Sequence, residues 1–239
     1  NLSARGLVDF DGPHGLQMAS VNLGKVSFEE SGVIEEVLFG VRKVLPLIEV
    51  RVPFALSLEE MDHISRGLKD PDLEPVAVAA RKAAHFEEKA IFRGFEKGGI
   101  AGIVPSAQNP AISMKPKAEH FMEAAESAVT SIKKTGIGGP YAMVLGTEAW
   151  QMLEQGDQKG YPLKKRVQDV LGGAIVWSPA MKGGVVLSTR GGDFIFTLGQ
   201  DFSIGYQRHD AENVHLYVTE SITFQIVEPR AAVEIRIGE

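Results

Sequence analysis

The sequence contains no cysteine, which excludes disulfides, thiolate metal sites and a thiol nucleophile without deciding the compartment. No apolar run approaches the roughly 18 residues that a membrane helix needs, so no membrane partner is expected. Basic residues form no block. Lys and Arg number 25 against 31 Asp and Glu, a net charge of −6, so wrapping nucleic acid has no electrostatic support. The chain opens on Asn1, without an initiator Met or a charged-then-apolar leader, and is read as a truncated start with further residues upstream. Internal repeats and low-complexity segments are also missing. What is present is ordinary for a globular chain: 239 residues, 44% hydrophobic and 23% charged, enough for one large domain or two interleaved ones.

The N-terminal stretch to Gly15 reads as a short strand through Leu7–Phe10 and a turn at Gly12-Pro13. Ser20 to Phe54 reads as a long hairpin excursion. Val21, Leu23 and Val26 mark one strand. Ile48, Val50, Val52 and Phe54 mark one face of another, with Glu49 and Arg51 opposite, and Glu29-Glu30-Ser31-Gly32 supplies the turn between them. Two strands alone bury too little to be stable, so this arm should lie on something else, such as a neighbouring subunit. Ser57-Leu58-Glu59-Glu60 is a capping box, with Glu60 expected to reach back, for a helix stopping at Gly67. A long helix should restart at Asp70-Pro71-Asp72 and run to about Lys97, on a stripe of Leu73, Val76, Ala77, Ala80 and Ala84 that Glu87-Glu88 interrupts. A third helix should span about Lys117 to Lys134. Tyr141–Leu145 reads as a buried strand, and Thr147 as the cap of a short helix. Glu154–Gly160 reads as a surface loop and Leu163–Leu171 as a helix. Strands are expected at Ala174–Trp177, Val185–Thr189, Phe194–Leu198 and Ser203–Gln207, then as a pair at Val214–Glu220 and Ser221–Val227, and last at Ala232–Ile237. Segregated helices and strands of this kind argue an α+β fold.

Catalytic chemistry finds no constellation. Glu60-x-x-His63 puts two groups on one helix face, but its counterpart Glu212-x-x-His215 falls in a strand, where residues three apart point to opposite faces. His85-Phe-Glu-Glu88 on a charge-rich helix fits an ion-pair network better than an acid and a base. Gly136-x-Gly138-Gly139 follows a helix and precedes a strand, the reverse of a dinucleotide loop. Ser131-x-x-Lys134 lacks companion motifs, and the remaining histidines have no ligand spacing. The sequence is therefore expected to be neither an enzyme nor a metal protein.

The run Arg190-Gly-Gly-Asp-Phe-Ile-Phe-Thr-Leu-Gly-Gln-Asp-Phe-Ser-Ile-Gly-Tyr206 resembles the encapsulin shell proteins, the linocin-type bacteriocin family. Further matching blocks are Leu45–Arg51, Arg66–Leu73, Ala90–Phe95, Gly138–Tyr141 and Tyr161–Val167, in order along essentially the whole chain. The resemblance implies the tailed-phage major capsid protein-like fold, with an N-terminal arm remnant (1–19), an extended loop (20–54), a peripheral domain (55–135), an axial domain (136–198) and a return to the peripheral domain (199–239). It further implies a large icosahedral homo-oligomer in the cytoplasm. This nanocompartment would hold a cargo enzyme, a ferritin-like iron oxidase or a dye-decolorising peroxidase, recruited by a C-terminal targeting peptide.

By the same resemblance the peptide would bind the inner wall at Arg5, Asp9 and Asp201, with Phe202 and Ile204 as apolar neighbours. Two carboxylates and a guanidinium can orient a peptide while apolar pockets hold its side chains. The alternative is that Asp201 caps a turn and Arg5 pairs with Asp9 on the surface. The family's N-terminal helix would lie upstream of these residues. The loop Glu154, Gln155, Gly156, Asp157, Gln158, Lys159, Gly160 matches the family's five-fold pore loop, against the alternative of an ordinary exposed loop. Members that bind flavin stack it on a Trp where this sequence has Glu59, although Arg51 is kept, so no cofactor is expected. A viral capsid protein packaging nucleic acid, or a protease or bacteriocin, are the competing readings. The first is opposed by the acidic balance, the second by the lack of catalytic residues.

Overall fold

The computed structural model describes residues 3–30, 32–156 and 162–238. A turn of 3-10 helix at Ser3–Gly6 leads to β1 (Asp9–Asp11). An antiparallel arm follows, β2 (Ser20–Glu30) and β3 (Leu38–Pro46), then β4 (Ile48–Ser57). Next come α1 (Leu58–Ser65), α2 (Glu74–Arg93), α3 (Ile103–Ser106), β5 (Ile112–Met114), α4 (His120–Lys134), β6 (Tyr141–Leu145), α5 (Thr147–Gln155) and α6 (Leu163–Leu171). The chain closes with β7 (Ile175–Trp177), β8 (Gly184–Ser188), β9 (Phe194–Leu198), β10 (Ser203–His209), β11 (Asn213–Ile226) and β12 (Ala232–Ile237).

Two five-stranded sheets result. One runs β1-β9-β11-β10, with β4 on the other side of β11; the second runs β5-β12-β8-β6-β7. The arm β2–β3 forms a separate two-stranded sheet. The fold is α+β, as the segregated pattern implied. The closing strand β12 pairs with β8 and β5, so the second sheet draws on both ends of the segment from 112 to 237.

Several elements differ from expectation, each for a packing reason. The arm's return strand is Leu38–Pro46, not Ile48–Phe54. β4 instead pairs with β11 over its whole length, because Val52 and Phe54 find cover there against Ala79, Ala83 and Val218, which a bare hairpin cannot offer. The expected strand pair at 214–227 is one strand of 14 residues. No turn chemistry separates Glu220 from Ser221; the strand runs straight on and exchanges β10 for β9 as its neighbour. Glu60 does not reach back to Ser57: the Ser57 hydroxyl accepts from Glu60 N–H at 3.0 Å, while the Glu60 carboxylate accepts from Asp72 N–H at 2.8 Å and ties α1 to the approach of α2. α2 stops at Gly94 (φ 83°) rather than near Lys97. There the chain folds back, so that a Cβ on Gly102 would fall 2.1 Å from Gly94 N. Thr147 is not the cap of α5, a position taken by Gly146; its hydroxyl accepts from the Trp177 indole at 3.2 Å.

The buried face of α2 is also rotated. Ala79 and Ala83 are buried while Ala80 is exposed, and the next members of that face are Glu87 and Glu88. Both carboxylates are inside. Glu88 accepts from the buried Ser178 hydroxyl at 2.7 Å, linking α2 to the loop after β7. Glu87 receives Arg5, whose Nη2 lies 2.6 Å from Glu87 Oε2 and 3.2 Å from Glu220 Oε2 on β11. One guanidinium thus joins the N-terminal segment, the long helix and the long strand, and both carboxylate side chains are fully shielded from water.

Two buried carboxylates cannot both ionise cheaply around one cation. Burial, and next the Glu87 charge, push the Glu220 pKa up to about 9, with Arg5 pulling the other way. The folded chain therefore keeps a proton that the unfolded chain loses above pH about 4.5. The stabilisation is whole below that value and is lost as pH rises toward 9, with a limiting slope of about 1.4 kcal/mol per pH unit. Glu220→Gln copies the protonated form. Its melting temperature should exceed the parent's by a margin that widens from pH 5 to pH 9, whereas parallel melting curves would show that Glu220 ionises normally.

Candidate functional site

The residues singled out at the inner wall do not all meet. The 3-10 turn brings Arg5 under the sheet, and its Nη1 lies 3.3 Å from Asp201 Oδ1, in the turn between β9 and β10. Asp201 Oδ1 also accepts from Phe202 N–H at 2.8 Å, so the turn-capping alternative holds for this residue. The Arg5 guanidinium carbon is 5.4 Å from the centre of the Phe202 ring, 5.3 Å from that of Phe196 and 5.8 Å from that of Phe10. Arg5, Asp201 and Phe202 thus form one cluster. Arg5 is not a free ligand-binding cation, because Glu87, Glu220 and Asp201 already occupy its donors.

Asp9 lies elsewhere. Its Oδ2 accepts from Gly192 N–H at 2.5 Å, and it lines a separate cleft of about 90 Å³ with Thr189, Gly191 and Phe194. Asp9 holds the β8–β9 turn, where Gly191 and Gly192 take φ of 89° and 81° and Arg190 pairs with the buried Asp193 at 2.8 Å. The opening motif Arg190–Asp193 is therefore a braced turn. The alternative pairing of Arg5 with Asp9 is replaced by that of Arg5 with Glu87.

Ile204 belongs to a different feature. Phe202, Ile204 and Tyr206 alternate onto one face along the start of β10, and register places Ile204 beside Val218, which α2 covers. α2 shields Val218 but leaves Ile204 and Tyr206 each 58% exposed. The result is an apolar ledge on an edge strand, closed at one end by the Arg5–Asp201 pair. Sequence reasoning missed Glu87, Glu220, Phe10 and Tyr206. Glu87 had a usable signal: it follows Ala79 and Ala83 at steps of four on the buried face of α2.

Of the loop matched to a pore, Glu154 and Gln155 are exposed at the end of α5, so this part is helical rather than loop. Gly156 serves packing, since a Cβ there would lie 2.5 Å from Leu163 Cδ2. Asp157, Gln158, Lys159 and Gly160 fall outside the described residues. α5 and α6, on either side, are clasped by Lys164 Nζ 4.0 Å from the centre of the Trp150 ring. At the flavin-related positions, Glu59 is exposed on the first turn of α1, while Arg51 pairs with Glu49 at 2.6 Å and stacks 4.7 Å over Tyr217. His63 approaches Glu60 only to 3.8 Å, and His215 bonds Asp210 at 2.7 Å. Among the described residues no group of three or more His, Cys, Asp or Glu could hold a metal ion.

Comparison with known proteins places this architecture. The solved structure of a virus-like particle from Pyrococcus furiosus superposes with a TM-score of 0.67 at 15% identity, over 97% of this chain and 91% of that one. The capsid of an empty GTA particle gives 0.61 at 12% identity, over 100% and 90%. At these identities the likeness shows a capsid fold. Sequence relatives are far nearer. The type 1 encapsulin shell protein of Rhodospirillum rubrum is 42% identical over 98% of this chain and 86% of its own length. That of Mycobacterium tuberculosis is 35% identical over 98% and 88%. Residues 1–223 match the family model described as encapsulating protein for peroxidase. The chain thus belongs to the encapsulin shell protein family.

Proposed function

We propose that this chain is the self-assembling subunit of an icosahedral protein compartment in the cytoplasm, and that the compartment encloses a cargo enzyme. The carrying observation is the β2–β3 arm. It stands apart from both sheets and leaves Val26, Phe28, Leu38 and Val41 between 45% and 68% exposed. A two-stranded ribbon with such a surface gains its stability from a partner, and a shell supplies one to every copy. The family description favours a peroxidase as cargo, with an iron-oxidising ferritin-like protein as the other class. This reading assigns the chain a structural role, with no cofactor, no membrane contact and no nucleic acid.

The cargo's C-terminal peptide would lie along Phe202 and Ile204, its apolar side chains on the ledge and its polar end against Asp201. Arg5 acts here as a positioning residue that fixes Asp201 and Phe202, and Asp9 supports the neighbouring turn. A capsid protein packaging nucleic acid shares the fold, but a net charge of −6 gives phosphate little to bind.

Two measurements check these assignments. The purified chain should elute as a particle of megadalton scale and appear as hollow, round shells in negative stain; a stable monomer or small oligomer contradicts the assembly. Asp201→Lys should leave the shells intact and cut cargo co-purification from the native host by at least about tenfold, equivalent to about 1.4 kcal/mol of binding. Unchanged loading would move the peptide away from this ledge.

A further inference from the structure

Tyr206 and His209 stand three apart on β10, and in a regular strand they would point to opposite faces. They share a face because the strand is bulged. Tyr206 faces Leu216 and Arg208 faces His215, so Gln207 is the extra residue and His209 comes to face Val214. The bulge brings the Tyr206 hydroxyl to 2.6 Å from His209 Nδ1. A braced turn follows. Asp210 Oδ1 accepts from Glu212 N–H at 2.9 Å and from Asn213 N–H at 2.8 Å, which fixes the strand end that carries His209. Tyr206 is 58% exposed, and His209 beside it is exposed too.

A phenol gives up an electron more readily when its proton has a base to go to. A neutral imidazole with its own proton on Nε2 is such a base. Other electron-rich rings lack this partner. Tyr141 is buried, and its hydroxyl donates to the Ile137 carbonyl, a poor base. Tyr217 lies under the Arg51 guanidinium at 4.7 Å and Trp150 under Lys164 Nζ at 4.0 Å, cations that oppose a positive charge on the ring. The Trp177 indole N–H donates to the Thr147 hydroxyl at 3.2 Å, too weak a base to take a proton. No cysteine competes as a reductant. Among the described residues, Tyr206 is thus the exposed ring whose proton has an imidazole acceptor. We propose that Tyr206 and His209 form a redox site that gives one electron to small outer-sphere oxidants. The phenol loses one electron to the oxidant, which is reduced by one electron, while the O–H proton passes to His209 Nδ1. A neutral phenoxyl radical and an imidazolium result, and the imidazolium returns one proton to water. The oxidant is a high-valent metal complex or an organic radical cation, the class that a peroxidase cargo would generate. The site acts without cargo, so its failure and that of the shell reading are separable.

Hexachloroiridate(IV), a small one-electron oxidant that bleaches on reduction, tests the site by stopped flow. The purified chain, free of cargo, should reduce it in a fast phase, with a tyrosyl radical signal in freeze-quenched electron paramagnetic resonance. Tyr206→Phe should remove both the phase and the signal. His209→Gln keeps a polar side chain but takes no proton, and should slow the phase at least about tenfold. Trp177→Phe should retain it. A parent chain no faster than Tyr206→Phe overturns the site, as does His209→Gln reacting at the parent rate or a fast phase lost in Trp177→Phe instead. Gel filtration of the same samples reports separately on assembly: particles that lack the fast phase leave the shell reading standing, and a reactive monomer overturns the shell reading alone.

Discussion

The joining of the N-terminal turn, the long helix and the long strand depends on a single guanidinium set between two buried carboxylates. Arg5 reaches from the N-terminal turn to Glu87 on α2 and Glu220 on β11, and the same side chain steadies Asp201 and the Phe202 ring. Removing Arg5 would leave the buried Glu87 carboxylate without its cation, so one side chain ties the three elements together. Glu88, one residue on, makes the corresponding tie to the second sheet through Ser178. Two neighbouring acids on one helix thus fix the long strand and the second sheet to a common spine.

A division of labour follows from this geometry. The two five-stranded sheets and the helices supply a rigid body with its own core, while the arm β2–β3 and the ledge on β10 remain unfilled. Both surfaces are apolar and exposed. They lie on different sheets, so a change in the ledge need not disturb assembly.

Much of this was legible in the sequence, because periodicity reports local burial well. Leu163–Leu171, Phe194–Leu198 and Ala232–Ile237 were read with their observed limits. The misreadings share one cause, that a pattern shows a buried face but not what covers it. β4 looked like half of a hairpin because its alternation is the same whether it lies on β3 or on β11. Glu87 and Glu88 looked like a break in an apolar stripe, since a carboxylate is taken as exposed until a buried cation is known to meet it. Arg5 lies 82 positions from Glu87 and 215 from Glu220, separations at which spacing carries no signal. The family resemblance led to Asp201, Phe202 and Ile204, but it could not separate Asp9, which serves the neighbouring turn, from the ledge itself.

The order of strands carries a consequence for how the subunit is made. β11 completes the first sheet by joining β4, β9 and β10, and β12 completes the second by lying between β5 and β8. Both sheets therefore wait for strands that leave the ribosome after almost all the others. Until then β4 and β5 have no partners, and Arg5 meets Glu87 without Glu220. A chain without β11 and β12 cannot present either finished sheet, so the body becomes competent to join others only once both strands have been made. Late closure of this kind protects a self-assembling protein from building with incomplete parts.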